Sequence, residues 1–244
     1  MTRALKVAGV ASTLIATIRH EPEVGDVDAA VASARALPIR DGDFVLGIGG
    51  GSAIDLAKAV AGLATNTHGD SVVDFLEGVG RGLTIDKPPL AMLAMPTTAG
   101  TGSEATKNAV ISSYDPKFKK SLRSDAMVPR VVLVDPELAV HCPRDVTVSC
   151  GMDAITQLVE SYISRRAQPI PRAIALASLP AAIDALPKLL DDPALLAARE
   201  AMAHAALMSG MALANSGLGM AHGVAAALGV HARVPHGLAC AVML

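Results

Sequence analysis

Three glycines and a hydroxyl, Gly49-Gly50-Gly51-Ser52, follow directly on the apolar run Phe44-Val45-Leu46-Gly47-Ile48. Glycine lets backbone N–H groups approach a pyrophosphate without a side chain in the way. A helix beginning near Ser52 would add partial positive charge at the same place. The spacing Gly47-x-Gly49-x-x-Ser52 departs from GxGxxG by one residue, so a plain strand-to-helix turn explains it equally well. A second run, Pro96-Thr97-Thr98-Ala99-Gly100-Thr101-Gly102-Ser103-Glu104, gathers hydroxyls and glycines after the apolar residues 88–95. Loops of this kind touch ligands at the carboxyl ends of parallel strands. Residues 201–232 carry no Lys, Arg, Asp or Glu, yet include three histidines, Asn215 and Ser216. Their length would allow a membrane span, but the glycines and histidines favour buried helices around a polar site.

These groups need elements to hold them. Strands are expected over 44–48, 88–95 and 131–134, each buried and each ending in a polar loop. Helices are expected over 26–36 and 53–64, the latter with Ile54, Ala57, Ala61 and Ala64 on one stripe. After Pro143 the β-like runs cease, and 153–164, 171–190, 193–215 and 219–228 read as helices. The chain therefore divides near residue 145 into an α/β part (1–145) and an all-α part (146–244). Its 244 residues are 51% hydrophobic and carry a net charge of −2, which excludes a disordered or fibrous protein. With two Tyr, three Phe and no Trp, it offers neither a basic surface nor a stacking platform, so nucleic acid is not an expected partner. Cys142, Cys150 and Cys240 form no metal or disulfide spacing and read as small core residues in a reducing compartment. Residues 7–18 are uncharged behind Arg3 and Lys6, a pattern shared by secretory signals and by strand or helix starts; the abrupt Arg19-His20-Glu21 favours the latter and a cytoplasmic protein without a membrane span.

The motifs Gly49-Gly50-Gly51-Ser52-Ala53-Ile54-Asp55-Leu56-Ala57-Lys58, Pro96 through Glu104, Gly151-Met152-Asp153-Ala154-Ile155-Thr156 and His222…Pro235-His236-Gly237 resemble, in order, the iron-containing (group III) alcohol dehydrogenase family. The resemblance implies a Rossmann-like α/β nucleotide domain followed by an all-α metal domain, the dehydroquinate synthase-like fold. It also implies NAD- or NADP-linked interconversion of a small alcohol and its carbonyl by hydride transfer, with a divalent metal as Lewis acid. Gly49, Gly50, Gly51, Ser52 and Asp55 would then belong to the cofactor site with Thr97, Thr98 and Thr101. Lys119, or its neighbour Lys120, would approach the nicotinamide ribose. Asp153, His222 and His236 would hold Fe(II) or Zn(II).

The chain departs from the family pattern at two positions. Gln157 stands four residues after Asp153 where a second-ligand histidine is typical, and it enters the candidate metal set only as a poor ligand. Ala226 replaces a histidine four residues after His222; His231 is nearby but reads as a surface residue. Taken singly, Asp153 also reads as a helix cap and His222 as a hydrogen-bonded core histidine. Together in a charge-poor setting they are harder to explain as structure alone, because unpaired polar groups there cost several kcal/mol, roughly. Compared with the family, the chain lacks an opening strand and helix and the later helices. An apolar face left open over 201–244 would then associate with another copy. Two alternatives remain: a non-catalytic remnant that binds nucleotide or metal, and a lyase resembling dehydroquinate synthase, against which the 96–104 signature stands.

Overall fold

The computed structural model describes residues 2–244. A short first helix, α1 (Thr2–Val7), leads through extended chain to α2 (Val24–Arg35). Glu23 caps α2 through a reciprocal box with Asp26, and Val27, Ala30, Val31 and Ala34 face inward at helical spacing. Strand β1 (Phe44–Gly49) runs into α3 (Gly51–Thr65), and β2 (Ala91–Pro96) pairs parallel with β1 from Phe44↔Ala91 to Gly49↔Pro96. The third strand, β5 (Val131–Val132), lies parallel on the other side of β2, giving the order β1-β2-β5. In the chain between β2 and β5, a separate two-stranded antiparallel sheet, not expected from the sequence, is formed by β3 (Asn108–Tyr114) and β4 (Lys117–Arg123).

The parallel strands were expected to be fully buried, and they are not. Phe44 is 39% and Val131 51% exposed, because β1 and β5 are the edges of a three-stranded sheet. Burial is concentrated instead on α3, whose residues from Ile54 to Ala64 are all buried. One of its faces packs on Met92 and Ala94 of β2, and another on α2 and on Ala109, Ile111 and Leu122 of the hairpin.

This placement buries a lysine. Lys58 has a fully buried side chain and donates to Ser103 O (2.8 Å), Thr106 Oγ1 (2.9 Å) and Asn108 O, with Asp55 Oδ1 3.2 Å away. Asp55 in turn accepts from the Ser103 hydroxyl and the Val110 N–H. An unpaired charge at such depth is costly, so these contacts fix the second polar loop on α3. Glu104 is buried in the same network, and burial raises its pKa despite the nearby Lys58 charge. A carboxyl whose folded pKa lies above its unfolded value keeps its proton longer when folded. Its contribution is therefore complete below the ordinary carboxylate range and is lost as pH rises through the raised value. Glu104→Gln is expected to increase stability at pH 7 and to flatten the pH dependence across that window, as read from urea midpoints between pH 4 and 8. Unchanged midpoints at every pH would contradict the assignment.

The helical part comprises α4 (Arg144–Ile163), α5 (Pro169–Asp191), α6 (Leu196–Ser216), α7 (Met220–Ala232) and α8 (His236–Met243). Leu158, Ala182, Leu189, Met202 and Ala205 form its core between α4, α5 and α6. The charge-free stretch over 201–232 is not one rod: α6 and α7 are bent by 102° at Gly217 and its neighbours. By length and composition α5 is apolar enough to cross a membrane, although Pro180 and Pro187 lie within it. Met220, Leu238, Val242 and Leu244 are exposed toward the end of the chain, as are Ile170, Leu176 and Ile183 on α5.

Candidate metal and nucleotide site

The two polar loops lie side by side because their strands are neighbours. Thr97 N–H donates to Gly49 O (2.9 Å). A Cβ on Gly50 would come 3.2 Å from Thr98 Oγ1, and one on Gly51 would come 2.6 Å from the Thr101 side chain. Gly49 itself has φ +146, a conformation that favours glycine. Gly49, Gly50, Gly51 and Ser52 thus open α3 directly against Thr97, Thr98 and Thr101, with α3's first-turn N–H groups at the sheet's carboxyl edge. Asp55 is one turn further and inward. Its hydrogen bonds to Ser103 and Val110 make it a clamp on the second loop rather than a group facing the cleft.

The second loop also reaches the helical part. A Cβ on Gly100 would meet Cys150 at 2.7 Å, and one on Gly102 would meet the Gly210 backbone at 2.5 Å. Cys150 lies one turn before Asp153 on α4, so the second polar loop abuts the helix that carries the carboxylate. Burial, with the Asp153 charge adding to it, pushes the Cys150 thiol up to about 12.

Asp153, His222 and His236 come together. His222 Nε2 is 3.1 Å from Asp153 Oδ1, His236 Nε2 is 3.8 Å from the same oxygen, and the two rings are 5.4 Å apart between centroids. Four residues share the cluster: ligand atoms of Asp153, His222, His236 and Cys240 all lie within 4.8 Å of one another. Tetrahedral ligands about 2.0–2.3 Å from one ion stand about 3.3–3.8 Å apart, close to the observed 3.1 and 3.8 Å. His236 Nδ1 is buried without a partner, leaving Nε2 as the ring's productive atom. Burial dominates His236 and lowers its pKa even though Asp153 is close. At Asp153 burial works the other way, but the hydrogen bond from His222 and the His236 charge overcome it and hold the carboxyl below its usual range. The residues present suit a divalent cation.

Sequence reasoning missed two members of this arrangement. Glu160 follows Asp153 by seven residues on α4 and so shares its face. Its Oε2 lies 2.6 Å from His222 Nδ1, and its Oε1 accepts the Ala221 N–H at 2.7 Å. Gly219 permits this approach, since a Cβ there would meet Oε1 at 2.6 Å. A carboxylate on Nδ1 requires the proton at that nitrogen; Nε2, which faces Asp153 Oδ1, donates a proton there when the ring is charged and offers its lone pair to a cation when the ring is neutral. Burial would lower the His222 pKa, but hydrogen bonds to Asp153 and Glu160 raise it. Glu160→Gln is expected to weaken zinc affinity about 10- to 100-fold, measured by competition with a chelating dye; affinity equal to wild type would contradict the orienting role.

Cys240 is the other. It was read as a core residue, and it is fully buried, but α8 also places it one turn after His236 on the same face, 3.8 Å from Nε2. Burial and then the Asp153 charge push its thiol up. Gln157 goes elsewhere: its Oε1 accepts from the Ser209 hydroxyl on α6 at 2.6 Å. Lys119 and Lys120 alternate on β4. Lys119 is the inward one, pairing with Glu21 at 2.7 Å with a side chain 10% exposed and approaching Gly229 of α7, whereas Lys120 is exposed. Its strand belongs to the hairpin, and Arg233, between α7 and α8, lies 4.6 Å over the Tyr114 ring. His231 is exposed on α7.

A Rossmann-like α/β unit abutting a helical unit with a convergent carboxylate and imidazoles defines the class of fold. The chain belongs to the iron-containing alcohol dehydrogenase family: the model described as iron-containing alcohol dehydrogenase matches residues 1–136, and that for the C-terminal part of the Fe-containing family matches 147–244. It is 38% identical over its full length to the probable alcohol dehydrogenase EutG of Escherichia coli (strain K12), covering 60% of that protein. It is 38% identical to the NAD-dependent methanol dehydrogenase of Bacillus methanolicus over 196 residues, 80% of this chain and 50% of that relative. A 1,3-propanediol oxidoreductase crystal structure superposes with a TM-score of 0.89 at 32% identity, covering 98% of this chain and 60% of the other. The sulfoacetaldehyde reductase of Bifidobacterium kashiwanohense, solved in complex with NAD+, gives 0.87 at 32%, with 98% and 62% covered. The chain thus spans about half to three-fifths of the length of these relatives.

Proposed function

We propose that this protein is a metal-dependent NAD- or NADP-linked oxidoreductase that interconverts a small alcohol and its aldehyde or ketone. The observation that carries the reading is the meeting of Asp153, His222 and His236 beside the second polar loop, which touches the Asp153-bearing helix α4 at Gly100 and Cys150 and itself lies against the glycine loop. Residues 1–145 serve as the nucleotide domain and 146–244 as the metal and substrate domain. When bound, the nicotinamide nucleotide supplies hydride exchange and the divalent metal, iron or zinc, supplies Lewis acidity toward the substrate oxygen.

The chain's own residues have separable tasks. Gly49, Gly50, Gly51 and Ser52 present N–H groups and the α3 N-terminus to the pyrophosphate, while Thr97, Thr98 and Thr101 line the adjoining edge. Lys119 enters the nucleotide side with its charge balanced by Glu21. Asp153 contributes the anionic donor, and Glu160 keeps His222 in the tautomer that leaves Nε2 free to donate its lone pair. With few aromatic residues, the pocket favours an aliphatic substrate. The chain works in the cytoplasm, and a second copy covers the exposed apolar positions of its later helices.

The test is to load purified protein with Zn(II) or Fe(II), titrate NADH and NADPH by fluorescence, and assay short alcohols and diols. Turnover by wild type, with loss of both bound metal and turnover in His236→Ala, is the expected result. Retention of both in the variant would remove the metal assignment, and nucleotide or metal binding without turnover would favour a binding protein.

A further inference from the structure

Resting on the metal reading above, we propose that the Cys240 thiolate is a fourth donor to the cation held by Asp153, His222 and His236, making the set selective for zinc over iron. Three observations lead there. First, α8 is anchored where the thiol must be: a Cβ on Gly237 would meet Ser149 O at 2.3 Å, so the helix backbone lies directly on α4, and the Thr156 hydroxyl reaches Cys240 O at 3.5 Å. Second, His236 and Cys240 are four residues apart on α8 and share a face. Their ligand atoms are 3.8 Å apart, close to the roughly 3.5 Å that a sulfur at about 2.3 Å and a nitrogen at about 2.0–2.1 Å from one zinc would show. Third, Cys240 belongs to the same 4.8 Å cluster as the other three donors, whereas the Gln157 side-chain oxygen is engaged by Ser209.

Coordination replaces the S–H bond by a metal–sulfur bond and releases that proton to solvent, with no change in oxidation state. A soft thiolate beside two imidazoles and one carboxylate favours zinc, and a harder oxygen in its place would relax that preference. Two anionic donors, Asp153 and Cys240, would also neutralise a divalent ion, and a substrate oxygen would enter only as an added fifth ligand, held less strongly than by a three-donor site.

Cobalt(II) titration reads the sulfur directly. Metal-stripped wild-type protein is expected to develop visible d–d bands together with a near-ultraviolet sulfur-to-cobalt charge-transfer band. Cys240→Ser should keep the d–d bands and lose the charge-transfer band, and Cys142→Ser/Cys150→Ser should keep both. Visible bands without the charge-transfer band in wild type, or a charge-transfer band that survives in Cys240→Ser, would overturn the sulfur ligand while leaving the three-residue site intact. Absence of every cobalt band in wild type would overturn the metal reading itself.

Discussion

Asp153→Asn is expected to lose its divalent metal and to lower metal-dependent alcohol oxidation about 1,000-fold or more, the equivalent of several kcal/mol of lost Lewis-acid stabilisation. Asp153 Oδ1 is the hub of the cluster, 3.1 Å from His222 Nε2 and 3.8 Å from His236 Nε2. Asparagine keeps the volume but removes the charge, and leaves two buried imidazoles without the anion they face. Metal content by elemental analysis and turnover under metal excess separate the two effects. If metal content and activity both stayed at wild-type levels, Asp153, which lies in the middle of α4, would be a packing residue.

The largest effect on stability is expected from Gly210→Ala. Gly210 on α6 crosses Gly102 so closely that an added Cβ would fall 2.2 Å from the Gly102 carbonyl oxygen. Neither partner can yield cheaply, because the contact is backbone on backbone and Gly102 has φ +58. Overpacking of this kind costs about 3 kcal/mol, a fall of roughly 6–12 °C in Tm for a chain of this length. The crossing is also where the second polar loop, proposed to line the nucleotide, rests on the helical part, so nucleotide affinity is expected to fall with stability. Gly82→Ala is the control: φ is +68 but no atom lies within 4 Å of the new Cβ, so only the backbone term of about 1–2 kcal/mol applies. Equal melting temperatures for Gly210→Ala and wild type would show that the two elements move apart freely.

Much of this architecture was legible in residue order. The strand-loop-helix around Gly49 to Ser52 was readable because a short apolar run, a glycine cluster and an alanine-rich stripe are each local signals, whereas Asp153, His222 and His236 stood out as a set only through the motifs that resemble the family, since Asp153 and His222 taken singly also read as structure. The hairpin of β3 and β4 was not. Lys117, Lys119, Lys120 and Arg123 place four cations within a short polar stretch, and nothing local shows that Ile111 and Leu122 pack beneath it. The site's other members were hidden for a different reason. Cys240 is chemically silent as a spacing, and only the continuation of α8 from Pro235 through Met243 turns it toward His236. A proline just ahead of the helix was the available signal. Glu160 could have been found from the face shared by Asp153, Gln157 and Glu160 at positions i, i+4 and i+7. Asp55 looked like part of a phosphate loop from its motif, whereas its hydrogen bonds to Ser103 and Val110 depend on chain segments 48 and 55 residues away.

The convergence of the three ligands is tested most directly by diffraction at the zinc absorption edge from crystals grown with Zn(II). A single strong anomalous peak is expected about 2.0–2.3 Å from a carboxylate oxygen of Asp153 and from Nε2 of both His222 and His236. A peak coordinated elsewhere, or none in the cluster at saturating zinc, would contradict it.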